Sequence, residues 1–173
     1  MLGYVFWHRP APGTDPALYE LALAGFHSAL AAAPPPGFHR SWVFRLASIP
    51  WLGSATGYED WYLVDDFAAL GALNEAAVAA SRKAPHDAVA RLAAEGVGGV
   101  YRLVSGEPQP EAVAVAAWLS KPAGKADADF VAELGRTVWQ RQMTLGPTPE
   151  FCLHLPADMQ APPEAVKFAV TQL

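Results

Sequence analysis

The chain is poor in cysteine, in charged residues and in signature motifs, and each shortage excludes something. One cysteine among 173 residues cannot form an internal disulfide, nor hold a zinc ion alone. Charged residues make up only 17%, the 12 Lys and Arg are scattered, and the net charge is −5. A nucleic-acid surface needs clustered cations to neutralise phosphates, so nucleic acid is excluded as a partner. The longest apolar run, AVAVAAWL at 112–119, falls far short of the ~20 residues that cross a bilayer, and no membrane partner is expected. The stretch LALAGFHSALAAAP at 21–34 follows an acidic residue, lacks a basic flank and contains His27. It does not read as a secretory signal, and a reduced cytoplasm is the expected location.

Catalytic signatures are missing as well. There is no P-loop, no GxSxG and no CxxC, and the five histidines form no HxH or HxxxH pair. EGVGG at 95–99 stands after a predicted helix and before a predicted strand, the reverse of a dinucleotide-binding turn. It reads as a helix end. Neither a metal nor a cofactor is expected.

What is present is apolar: 52% of the residues, enough for a real core. GYVFWHR (3–9) reads as a strand. Asp15 caps a helix that begins at Pro16 and buries Leu18, Leu21, Ala22, Gly25, Phe26, Ala29 and Leu30. FHRSWVFRLAS (38–48) and YEDWYLV (58–64) are strands. Asp65 or Asp66 caps the next helix, whose stripe is Phe67, Leu70, Leu73, Ala77 and Val78. Pro85 interrupts it, a short helix follows over 86–95, and VYRLVSG (100–106) is a strand. The order β-α-β-β-α-β is the split pattern of a ferredoxin-like unit.

After GEPQPE the order restarts in shorter form. AVAVAAWLS (112–120), TVWQRQMTL (137–145), EFCLHLP (150–156) and AVKFAVTQL (165–173) are strands, with a tight GPTP turn inside. A helix over 124–135 is capped by Asp127 or Asp129, and ADMQAPPE replaces a second helix. The fold class is therefore α+β: two tandem ferredoxin-like βαββαβ units packed sheet to sheet as an α+β barrel, the second abbreviated. The units span 1–106 and 107–173.

Face assignments support the packing. In the third strand Tyr58, Asp60, Tyr62 and Val64 share one face, and Glu59, Trp61 and Leu63 the other. The first strand divides into Tyr4, Phe6, His8 and Val5, Trp7, Arg9. The second divides into His39, Ser41, Val43, Arg45 and Arg40, Trp42, Phe44, Leu46. Large side chains on both faces require cover on both sides, by helices on one and a second sheet on the other.

This arrangement resembles the dimeric α+β barrel superfamily, most closely over DDFAALGALNEAAV, KAPHDAVARL and GGVYRLVSG. The resemblance implies two ferredoxin-like units facing each other, from two chains or from one tandem chain. Its members include antibiotic-type monooxygenases, haem-degrading and chlorite-dismutating enzymes, lactone isomerases and proteins without known activity, so it implies fold more than function. Haem-degrading members use a strand Asn, a strand Trp and a helix His. Trp61 could stand for the Trp, but the first strand has no Asn and the helix after Trp61 has no His before His86. Haem chemistry is not carried over.

The candidate site follows from strand neighbours. His8 ends a strand that lies beside the one bearing Asp60 and Tyr62, and a His beside a carboxylate and a phenol can accept or relay a proton near neutral pH. His8, Asp60 and Tyr62 are the candidate catalytic residues, with Arg45, Trp61 and Arg102 as candidate substrate-binding residues. Ion pairing for the arginines and core packing for Trp61 are the competing roles. Two functions follow. One is a small apolar or aromatic molecule bound in a helix–sheet cleft, with cofactor-independent monooxygenase- or isomerase-like chemistry. The other is a non-catalytic binding or structural module. The protein is expected to be a monomer or homodimer.

Overall fold

The computed structural model describes residues 1–53, 55–142, 146 and 148–173. The tail of the predicted strand 137–145 and Pro147 of the GPTP turn lie outside them. The elements are β1 (Leu2–Pro10), α1 (Pro16–Ala32), β2 (Phe38–Ile49), β3 (Ala55–Val64), α2 (Phe67–Ala77), α3 (Ala80–Leu92) and β4 (Ala93–Ser105), then β5 (Val115–Leu119), α4 (Asp127–Leu134), β6 (Thr137–Arg141), β7 (Phe151–Leu155) and β8 (Val166–Gln172). The strands close into one barrel in the order β1-β3-β2-β8-β5-β7-β6-β4. Every pairing is antiparallel.

Each half carries the ferredoxin-like strand order. β1–β4 run β4-β1-β3-β2, and β5–β8 run β8-β5-β7-β6. The halves join edge to edge where β2 meets β8 and β4 meets β6, so the sheet leaves no open edge. Among the described residues no helix is long and apolar enough to cross a membrane.

The two-sided strands explain the barrel. Alternation sends Glu59, Trp61 and Leu63 inward and Tyr58, Asp60, Tyr62 and Val64 outward, under the helices. All six tryptophans meet inside: Trp51 and Trp118 pack on Trp7 of β1, and Trp61 joins Trp118 to Trp42 and Trp139. Edge-to-face packing dominates, as between Trp7 and Trp118, whose ring centres are 5.1 Å apart. Helices α1–α3 cover the outer face of the first half. Phe130 of α4 covers the second, packing on Phe151 at 5.1 Å.

Five local expectations change, one of them at α2, where Ala69 and Leu73 are buried while Phe67 and Val78 are 50% and 49% exposed. The buried stripe of α1 is Tyr19, Leu23, Phe26 and Leu30, while Leu18 and Leu21 are 51% and 71% exposed. This helix is apolar on nearly every side, so spacing alone could not orient it. The break near Pro85 falls earlier, at Val78 and Ala79, and Ala80 takes a φ of 50°. Helix α3 then runs through Pro85, whose missing N–H costs only the bond to the Ser81 carbonyl. Neither Asp127 nor Asp129 caps α4: Ala126 does, and both acids sit in its first turn. EGVGG is strand rather than helix end. Its glycines receive aromatic rings from β1: a Cβ at Gly96 would lie 2.4 Å from Phe6, and one at Gly98 2.7 Å from the Tyr4 hydroxyl.

The caps of the first two helices hold. Asp15 accepts from the Ala17 N–H at 3.0 Å with Pro16 at the first helical position, and Asp66 accepts from Ala69 at 2.9 Å.

Residues 1–106 expressed alone should self-associate. The inner face bearing Trp7, Trp42, Phe44 and Trp61 is buried in the whole chain and would be bare in the fragment. Size-exclusion chromatography should give a dimer or larger species. A well-folded monomer would contradict the packing of the two sheets.

Candidate functional site

The outer face of the first four strands is unusually polar for a surface buried under helices. Antiparallel register sets Tyr4 opposite Tyr62, Phe6 opposite Asp60 and His8 opposite Tyr58. His8 reaches diagonally to Asp60, within the range of neighbours two positions apart. His8 Nε2 lies 2.9 Å from Asp60 Oδ1, an ion-pair contact out of line for a hydrogen bond. On its other side His8 Nδ1 meets the Tyr19 hydroxyl at 2.7 Å.

Asp60 Oδ2 has its own partners. The Tyr62 hydroxyl donates to it at 2.8 Å, and His27 Nε2 stands 3.4 Å away. His27 Nδ1 in turn contacts the Ser41 hydroxyl at 2.7 Å. One carboxylate therefore sits between two histidines, each backed by a hydroxyl. His8 and Asp60 are only 1% and 2% exposed, so the network is largely dry.

Its electrostatics are self-consistent. Burial alone would raise the Asp60 carboxyl. The charge of His8, the hydrogen bond from His27 and the charge of His27 overcome this and hold it well below the usual carboxylate range. Burial, followed by the Asp60 charge, pushes the Tyr4, Tyr19 and Tyr62 hydroxyls up, so all three are neutral phenols near pH 7.

A cavity of about 820 Å³ lies between this face and helices α1–α3, within the roughly 300–1,000 Å³ typical of small-molecule sites. His8, Asp60 and Tyr62 line it together with Tyr4, Tyr19 and His86. The rest of the wall is largely apolar, with Phe6, Phe26, Leu70 and Val89 prominent. Among the described residues, no three His, Cys, Asp or Glu side chains are arranged to hold a metal ion.

His8, Asp60 and Tyr62 thus come together on one cavity wall. Arg45, Trp61 and Arg102 do not line it. Trp61 points into the barrel and donates to Glu59 at 2.7 Å, as adjacency to Asp60 in a strand requires. Arg45 stands 3.5 Å from Glu20, and Arg102 donates to Gln142 at 3.1 Å on the outer surface. Tyr19, His27 and Ser41 were not singled out from the sequence. Tyr19 is fully buried, and only the true orientation of α1 shows that it and His27 lie over β1–β3.

A second buried polar group lies inside the barrel. Glu59 accepts from the Trp7 and Trp61 indoles at 2.7 Å each. Burial raises its carboxyl to about 7, against the lowering effect of the two indole donors. His154 on β7 sits among Trp42, Trp61 and Trp139. Neither of its ring nitrogens has a partner among the described residues, and burial pulls it down to about 3. Cys152 is buried beside them, its thiol pushed up by burial and then by Glu59.

Fold and cleft define the class: an α+β barrel of ferredoxin-like topology with a cavity under the helices of its first half. No family model and no curated protein matches the chain. Among solved structures, it is similar to a dimeric protein of unknown function and ferredoxin-like fold from Bacteroides fragilis. The identity is 12% and the TM-score 0.44, over 58% of this chain and 94% of that one. At that distance the likeness bears on neither function nor assembly.

Proposed function

We propose that the cleft binds a small, mainly apolar or aromatic molecule and performs cofactor-independent acid–base chemistry on it, of the isomerase or monooxygenase kind. One observation carries this reading: an ionised carboxylate held between two histidines on the wall of an otherwise largely apolar cavity. Isomerisation, and oxygenation without a cofactor, both begin by removing a proton from an activated C–H or O–H group. His8 is the acceptor, reached through the Tyr19 hydroxyl. Asp60 stabilises the imidazolium and fixes the ring, and Tyr62 holds the carboxylate by donating to it.

A non-catalytic binding module is the second reading. The observation favouring it is that both His8 nitrogens already face protein groups, Tyr19 and Asp60. In either case we propose a tandem single-chain relative of the dimeric α+β barrel superfamily, with units 1–106 and 107–173, existing as a monomer or homodimer. The repeated strand order supports this.

His8→Ala separates the readings. Compounds found by a thermal-shift screen of neutral aromatic molecules should lose affinity at least tenfold in the variant if His8 serves the cleft, whatever the melting temperature loses from breaking its contact with Asp60. A stability loss of ~1–3 kcal/mol with affinity intact would make His8 structural, since Asp60 would lose a buried partner.

A further inference from the structure

The cavity wall is unequal in its charges. Among the described residues no Lys or Arg lines it, although the chain has 12. Arg9 pairs with the lining Glu95, and Arg82 donates to the backbone carbonyls of Ala76 and Ala33. Of the two lining histidines, His8 is bound to Asp60 and Tyr19. His27, behind the wall, is bound to Asp60 and Ser41. His86 is partly exposed, with Asp87 at 3.3 Å. An anion entering here would be desolvated beside the Asp60 carboxylate with no lining Lys or Arg to receive it.

Polar atoms do remain for a neutral guest. The Tyr4 hydroxyl makes no hydrogen bond among the described residues, while its ring stacks near Phe6 at 6.3 Å and lies 6.1 Å from Tyr62. Its O–H is a donor on an aromatic wall, suited to a carbonyl or hydroxyl oxygen. The Asn74 amide lines the opposite, helical side.

We infer that the cleft selects uncharged, oxygen-bearing ring compounds, ketones or alcohols, and rejects their carboxylate or phosphate analogues. Tyr4 recognises the oxygen and Asp60 excludes the anion. This rests on the cleft being a binding site. It adds which molecules that site takes.

Matched probes test it on the whole protein: acetophenone against benzoate, and 2-acetylnaphthalene against 2-naphthoate. The pH is 8, where both carboxylate probes are fully ionised. Isothermal titration or ligand-observed NMR should show each ketone binding at least tenfold more tightly than its carboxylate partner. Tyr4→Phe should weaken ketone binding several-fold while leaving binding of plain naphthalene unchanged. Equal or tighter binding of the carboxylates overturns the inference and leaves the cleft a binding site. So does a Tyr4→Phe variant that binds the ketones as well as wild type. Failure of every probe, naphthalene included, sinks the binding cleft itself.

Discussion

Asp60→Ala should destabilise the folded protein by roughly 3–5 kcal/mol, the usual consequence of removing one member of a buried charged pair. The carboxylate is 2% exposed and serves His8, His27 and the Tyr62 hydroxyl together. The alanine leaves all three without their shared acceptor under the helices. Urea unfolding monitored by tryptophan fluorescence is a direct test, because all six tryptophans lie in the barrel and report global unfolding rather than local rearrangement of the cleft.

The pH dependence supplies a signed check. The folded Asp60 carboxyl lies below its unfolded value of 3.8. Its contribution to stability is therefore fully present above that value and is lost as pH falls through the folded one. Wild type should lose this increment below pH 4, whereas Asp60→Ala has none to lose. The gap between the two proteins should narrow on acidification. A gap under about 1 kcal/mol at pH 7, in the range of a single surface contact, would show that the two histidines do not depend on the carboxylate.

Much of this was legible from periodicity. The two-residue repeat of YEDWYLV placed Asp60 and Tyr62 on one face and Glu59 and Trp61 on the other, and the structure agrees. The same repeat argued against Trp61 as a cleft residue, since neighbours along a strand cannot share a side. Its aromatic character drew attention that its position did not support.

Helix α1 was harder. Its residues are apolar on several faces, so the choice between Leu18 or Leu21 and Tyr19 depended on the partner surface. That surface supplies His8 for the Tyr19 hydroxyl and Ser41 for His27, contacts no local pattern encodes. The glycines of EGVGG misled because helix ends and ring-receiving strands both favour glycine. Phe6 and Tyr4, some ninety residues away in sequence, decide between them. Glu59 was assigned its face but not its bonds, since its Trp7 donor is 52 positions distant.

His154→Leu should make the protein more stable, a result opposite to that of most core substitutions. His154 is 5% exposed, closely packed by aromatic rings, and neither nitrogen has a partner among the described residues. An imidazole in that state forgoes hydrogen bonds that it makes with water when unfolded. Leucine of similar size forgoes nothing, so a gain of about 1 kcal/mol is expected near pH 7. The gain should widen in acid. Burial holds the folded histidine at about 3 against 6.5 unfolded, so between those values the unfolded chain binds the extra proton. Wild type then loses stability as pH falls, by up to ~1.4 kcal/mol per unit from this group. Glu59 works the other way. Its folded value of about 7 exceeds 4.5, so its contribution is fully present below 4.5 and is lost as pH rises through 7. In wild type the two groups offset one another between 4.5 and 6.5. Without His154 the Glu59 effect stands uncovered there, and the variant should become less stable as pH rises across that window. Thermal melts at half-unit pH steps measure both slopes. A variant less stable than wild type at every pH would mean that the His154 ring makes contacts in the barrel that leucine cannot replace.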